Sequence, residues 1–358
     1  MKNRKVHHLS HIDLDGYSCQ LVMKYTPYSI VNYNANYGAE VKQKLDIMVE
    51  TIKKEKQAAL ILITDLNLTS DESRWLHNTV NKQNNEYKQD IKITLLDHHG
   101  SGEESAKKFP WYYLDTSRCA TKITYDYVKE NFEFNEPSWM EKFVDIVNAV
   151  DLWKQEEVEN FEFGKVCMRL VNETKELNRT MFAEEDSNYK LTLLEEARKY
   201  INTENAPVNL DDNIHAIKKN FFKVDKNNTL DNLVTHYVVS LLGAKKSTNT
   251  IYYKGYKGYL SYGVGNTSII GNGFLLAYPE YDFIVDVSYR GAMSLRANNQ
   301  VSVALISKEW ANGGGHPNAA GGRIMGFKEQ YRYDKVKQQI EMLINDKESV
   351  AGDLEYKR

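Results

Sequence analysis

Carboxylates and imidazoles gather in four short segments of this chain. They are His11-Ile12-Asp13-Leu14-Asp15-Gly16, then Thr64-Asp65, then Asp97-His98-His99-Gly100, and finally Asp151. Acidic groups held within a few ångströms repel, and one of such a pair is normally forced to keep its proton. A divalent cation removes that conflict by placing positive charge between them. Imidazole and carboxylate ligands without thiolates suit Mn²⁺, Fe²⁺, Co²⁺ or Zn²⁺ better than Ca²⁺. More than four candidate ligands points to two ions about 3.5–4 Å apart, an arrangement that clamps the attacking and leaving oxygens of a phosphoryl ester. Taken singly, Asp13 and Asp15 read more often as loop carboxylates or helix caps than as ligands, and Asp65 could cap the next helix. The joint pattern carries the metal reading.

The elements around these segments explain how they meet. Val6–Leu9 reads as a first strand, followed by a helix from about Ser18 to Tyr25. The apolar runs AALILI at 58–63 and IKITLL at 91–96 suit parallel strands covered on both faces. The stretch ESRWLHNTVNKQN between them reads as a helix, and SWMEKFVDIVNAV at 138–150 is amphipathic with a 3.6-residue period. Strand and helix alternate, which predicts an α/β sheet. In open α/β sheets, ligands bind beyond the carboxyl ends of the strands. Three of the four polar segments fall at such ends.

The second half differs. Residues 186–228 read as a connector of two helices broken at Asn205-Ala206-Pro207, and tyrosines then crowd short alternating segments between Tyr237 and Tyr289. Those segments predict a small sheet in a second domain. Gly313-Gly314-Gly315-His316-Pro317 could bring backbone N–H groups close to an anion, and Arg296, with Asn298 beside it, suits bidentate phosphate contact. The expected layout is 1–185 catalytic, 186–228 connector, 229–345 substrate-binding and 346–358 a tail. Its 358 residues fit two domains. Lys+Arg of 46 against Asp+Glu of 49 gives −3, which argues against coating long nucleic acid but not against a small anionic ligand. The three cysteines form no C-x-x-C pair, and neither a secretory signal nor an apolar run of roughly 18 residues is present. The expected setting is cytoplasmic, without membrane contact.

The combination of His11-x-Asp13-x-Asp15-Gly16, Asp65, Asp97-His98-His99, Asp151 and a GGGH segment at 313–316 resembles the DHH/DHHA1 phosphoesterase superfamily. The resemblance spans about residues 6–325, and the size and domain order are most similar to its oligoribonuclease (nanoRNase, NrnB-like) group. It implies an α/β fold in two domains. The N-terminal DHH domain has a mainly parallel sheet flanked by helices, and a smaller α/β DHHA1 domain comes after it. It also implies two divalent ions, most simply Mn²⁺. His11 and Asp13 would hold the first, Asp65 would bridge, and Asp15, His98 and Asp151 would complete the second. His99 would sit beside the scissile phosphate, with Asp97 orienting its histidine neighbours. Arg296, Asn298, Gly313, Gly314, Gly315 and His316 would bind substrate phosphate or the terminal nucleotide, and Arg118 would line the cleft.

The activity so implied is hydrolysis of short oligoribonucleotides, about 2–5 nucleotides, to mononucleotides by a hydroxide activated between two metals. Closure of the second domain would bring Arg296 and His316 over the substrate. Alternatives are hydrolysis of 3'-phosphoadenosine 5'-phosphate or of linear dinucleotides such as pApA and pGpG, and a non-catalytic nucleotide sensor. The partners implied are short RNA or small nucleotide phosphoesters, and a homodimer is compatible. The polarity of degradation is left open.

Overall fold

A computed structural model describes residues 4–224 and 226–348. The chain divides into two compact units. The first comprises residues up to Lys175 together with Ala183–Phe221, and the second comprises Glu176–Phe182 and the residues from Phe222 onward.

In the first unit the order is β1 (Lys5–Ser10), α1 (Leu14–Lys24), β2 (Ile30–Asn34), α2 (Ala39–Glu55), β3 (Ala59–Thr64), α3 (Ser70–Tyr87) and β4 (Ile91–Asp97). Then come α4 (Glu103–Lys108), β5 (Tyr112–Leu114), α5 (Ala120–Asn131), α6 (Met140–Asp151), α7 (Phe161–Asn172), α8 (Ala183–Ala197) and α9 (Ala206–Phe222). The five strands are all parallel and lie in the order β2-β1-β3-β4-β5. The α/β expectation therefore holds. β3 is the middle strand and is buried along its whole length, as its unbroken apolar run requires. In this strand order the direction of winding reverses between β1 and β3, and that crevice is where doubly wound sheets take their ligands.

α1 is buried from Leu14 through Met23 and packs against α5, α6, α7 and α8. A helix enclosed on all sides needs no polar face, which is why its amphipathic signal is weak. Asp13 caps it, accepting from Gly16 N–H at 3.0 Å, so the helix begins at Leu14 rather than near Ser18. Gly16 has a steric reason to be glycine: a Cβ there would lie 2.4 Å from the His11 carbonyl oxygen. Behind this turn a buried polar chain ties β1 to β3. Ser10 Oγ donates to the Gly16 carbonyl at 2.8 Å and lies 2.7 Å from Thr64 Oγ1, which in turn is 2.8 Å from His8 Nε2.

The second unit contains α10 (Leu230–Ala244), α11 (Lys246–Asn249), β6 (Thr250–Tyr253), β7 (Tyr256–Tyr262), α12 (Thr267–Ala277), β8 (Phe283–Val287), β9 (Ala292–Ala297), α13 (Val303–Ala311), β10 (Gly314–His316), β11 (Ala319–Arg323) and α14 (Tyr333–Glu348). Its six strands lie in the order β10-β11-β9-β8-β7-β6. Only β7 and β8 run parallel, joined through α12, and the other neighbours are antiparallel. The stretch read as a connector divides between the units. α8 and α9 belong to the first as far as Phe221, and residues 222–228 belong to the second. Most of the 346–358 tail lies outside the described residues.

Candidate metal centre

Each predicted ligand in the first unit is delivered by the end of an element. His11 and Asp13 come after β1, Asp15 lies in the first turn of α1, Asp65 comes after β3, His98 and His99 come after β4, and Asp151 ends α6. The fold brings six of them into two adjoining groups. His11, Asp13 and Asp65 form one, and Asp15, His98 and Asp151 the other, each with its ligand atoms within 4.8 Å of one another. Asp65 joins them. Its Oδ2 is 3.5 Å from His11 Nδ1 and its Oδ1 is 3.4 Å from His98 Nε2. His98 Nε2 also lies 3.7 Å from Asp15 Oδ2 and 3.6 Å from Asp151 Oδ2. His11 Nδ1 lies 2.8 Å from Asp13 Oδ2.

The donor set fits divalent cations. His11 Nδ1 and Asp65 Oδ2 are buried yet make no directed hydrogen bond among the described residues. Convergent buried polar atoms without directed hydrogen bonds are what an ion would satisfy. Asp65 also holds a left-handed backbone, φ +56°. That conformation is costly for a residue with a Cβ, and Asp tolerates it better than most. Its N–H is held by the Leu96 carbonyl at 3.1 Å, so the β3–β4 ladder fixes the turn that aims the carboxylate.

Charges are displaced as a crowded anionic site requires. Burial first, then the Asp15 and Asp13 charges, push the Asp65 carboxyl well above the usual carboxylate range. Burial and Asp15 raise Asp151 to about 7. At His11 burial opposes the proton, but the Asp13 and Asp65 carboxylates beside it win and raise it to about 10. At Asp13 burial is likewise outweighed by His11, and the carboxyl falls to about 2.

Asp15 has a second task. Its carboxylate accepts from the Ala120 and Thr121 N–H groups, both at 2.8 Å, and so caps α5 from about a hundred residues away in sequence. Thr121 Oγ1 returns a bond to the Asp15 carbonyl at 2.8 Å. Asp97 is fully buried, accepts from Tyr112 O–H at 2.8 Å and lies 2.7 Å from His99 Nδ1. Tyr37, which no sequence motif singles out, places its hydroxyl 2.9 Å from His99 Nε2. Burial and four neighbouring carboxylates push its phenol upward. His99 also falls in a third possible ligand group with Asp65 and His98.

The remaining candidates lie elsewhere. Arg118 turns to ion pairs with Asp115 at 2.7 Å and Asp126 at 2.5 Å, and lines a groove of about 900 Å³ with Trp111, Tyr113 and Tyr127. In the second unit, His316 pairs with Ala319, and Ala319 with Arg296, so the two side chains share one register row on either side of a small residue. Directly opposed residues of antiparallel strands project from the same face. Arg296 reaches Ser268 Oγ at 2.6 Å, and Asn298 is exposed. Packing accounts for two of the three glycines. A Cβ at Gly313 would meet Ser307 Oγ at 2.2 Å, and one at Gly315, φ +146°, would meet the Ala319 carbonyl at 2.5 Å. Gly314 has open space around it.

A 3',5'-cyclic-nucleotide phosphodiesterase of Helicobacter pylori is 45% identical over 347 residues, covering 96% of this chain and 99% of that protein. The oligoribonuclease NrnB of Bacillus subtilis is 26% identical over 155 residues, 42% of this chain and 37% of its own. The chain belongs to the DHH phosphoesterase superfamily. As a DHH enzyme it is a phosphodiesterase, a hydrolase acting on phosphoester bonds. The crystal structure of an uncharacterized protein from Helicobacter pylori G27 matches with a TM-score of 0.88 and 44% identity, over 96% of this chain and 99% of the other. No family model matches the chain. Among the described residues of the DHH enzyme, no helix is long and apolar enough to cross a membrane.

Proposed function

We propose that this DHH phosphodiesterase hydrolyses the diester of small nucleotides to mononucleotides, with 3',5'-cyclic nucleotides as the leading substrate class. The observation that carries the chemistry is the pair of ligand groups joined through Asp65. The likeness to the Helicobacter pylori phosphodiesterase over nearly the full length of both chains favours the cyclic substrate. Short oligoribonucleotides of about 2–5 residues are the second reading. The motif pattern and the partial match to NrnB support it. Linear pApA and pGpG and 3'-phosphoadenosine 5'-phosphate rank behind these as further candidates.

His11, Asp13 and Asp65 are the proposed holders of one divalent ion, and Asp15, His98 and Asp151 with Asp65 those of a second, with Mn²⁺ the proposed metal. When bound, such ions neutralise charge on the phosphoryl oxygens and lower the pKa of coordinated water. His99 is the proposed hydrogen-bond or proton donor toward the scissile phosphate and leaving oxygen. Asp97 fixes its tautomer, because a carboxylate accepts and so leaves the proton on Nδ1. Arg296 and His316, with Asn298 and the exposed Gly314 backbone, are the proposed grip on an anionic end of the substrate.

A rate comparison with Mn²⁺ on 3',5'-cyclic AMP, pApA, a trinucleotide and 3'-phosphoadenosine 5'-phosphate tests the assignment. The cyclic reading predicts the highest kcat/KM on the first. A preference for the trinucleotide or pApA would replace it with the oligonucleotide reading, and turnover of none of the diesters would end both.

A further inference from the structure

His99 is held by two side chains, and only Asp97 has been given a task. Tyr37 lies between β2 and α2 on a fixed loop. Asn36 N–H donates to Glu40 Oε2 at 3.0 Å, and Tyr37 N–H donates to Asn36 Oδ1 at 2.8 Å. The Tyr37 ring is centred 4.7 Å from the His11 ring and stands edge-on to His99 at 5.6 Å and 77°. With Nδ1–H directed at Asp97, Nε2 accepts from Tyr37 O–H in the neutral imidazole and donates to the phenolic oxygen in the imidazolium, across the same 2.9 Å contact.

That contact matters because His99 already stands among the candidate metal ligands. With Asp65 and His98 it forms a third ligand group within 4.8 Å. An imidazole that turned its Nε2 onto an ion there would be lost to the substrate. We propose that Tyr37 is a positioning residue whose hydroxyl occupies His99 Nε2, and so keeps it off an ion bound beside it until the phosphoryl group arrives. The proposal rests on the place given to His99 beside the scissile phosphate. The phenolic oxygen stands at the distance at which a leaving oxygen must lie to take a proton from Nε2. Substrate therefore displaces a hydroxyl already seated where its own oxygen arrives.

The test uses Tyr37→Phe in the full chain, which removes the hydroxyl and keeps the ring against His11. With Co²⁺ bound, the visible absorption spectrum reports the ligands directly. The expected result is a changed spectrum in Y37F that returns to the wild-type form in Y37F/H99A. Activity is read on bis(p-nitrophenyl) phosphate, a diester that does not depend on nucleotide identity. There kcat falls about ten-fold with KM nearly unchanged, in the range for partners that orient active-site ligands, and Y37F adds nothing in an H99A background. A wild-type spectrum in Y37F, or an effect of Y37F that persists without His99, overturns the proposal. If wild type hydrolyses no nucleotide while the spectrum still shifts through His99, the functional reading fails and the positioning role stands.

Discussion

Without an ion, Asp151 and His11 hold protons that water would remove from the same groups in an unfolded chain. Asp151 is raised to about 7 and His11 to about 10. A group whose folded pKa is raised binds more protons folded than unfolded, so its stabilising contribution is lost as pH rises through the folded value. For Asp151 that window runs from about 4 to 7, and for His11 from about 6.5 to 10. In chelator, the melting temperature of wild type should drop more between pH 5 and 7.5 than that of Asp151→Asn; equal slopes would remove Asp151 from the account. Metal binding must displace the same protons. Mn²⁺ affinity measured by titration calorimetry should therefore tighten with pH by about ten-fold per unit for each proton displaced, most steeply below 7 and, through His11, still above it. Asp65 offers the sharpest test, since it serves both groups. Asp65→Ala should lower kcat/KM at least about 100-fold, or about 2.7 kcal/mol in transition-state terms. Retention of near-full activity would end its bridging role.

Elements decide how much of this is legible in the sequence. β3 is legible because a strand buried on both faces is apolar without interruption, β4 because Lys92 and Thr94 alone break its apolar run, and the carboxylates at their ends stand out against them. The start of α1 is not legible, since Asp13 is a capping residue and a candidate ligand at once, and the ligand pattern hides the cap. β2, with sequence IVNYN and mostly half-buried, shows neither an apolar run nor clean alternation. With that strand hidden, Tyr37 beyond its carboxyl end is hidden too, although the same strand-end rule points to it once the strand is known. Arg118 is expected toward the cleft, but acidic partners three and eight residues away are closer to hand. Gly313 and Gly315 suggest anion binding, and their packing role needs the third dimension. Two substitutions test the framework. Gly16→Ala should destabilise the protein by about 1–3 kcal/mol, the range for overpacking, and weaken Mn²⁺ binding by moving His11. Thr121→Val should cost about 1 kcal/mol in urea unfolding through the lost bond to the Asp15 carbonyl. A Thr121→Val protein as stable as wild type would show that α5 and α1 are not joined there in any energetic sense.

At the scale of the whole molecule, the ions are expected to act as stabilisers as well as reagents. Mn²⁺ at 100 times its dissociation constant should add about 2.7 kcal/mol to the unfolding free energy, read as a rise in melting temperature. Asp65→Asn should abolish most of that rise. Arg296→Ala, by contrast, should leave the metal-induced rise intact and raise KM, because the second unit's row carries none of the metal ligands. The left-handed turn at Asp65 has a consequence for selection. Glycine would adopt φ +56° without strain, and asparagine tolerates it while removing a buried carboxyl whose ionisation Asp13 and Asp15 oppose. A library of this protein sorted only for heat resistance in chelator should therefore enrich Gly or Asn at position 65. The same library sorted for turnover should keep only Asp. Durability and activity ask for different residues at this one position.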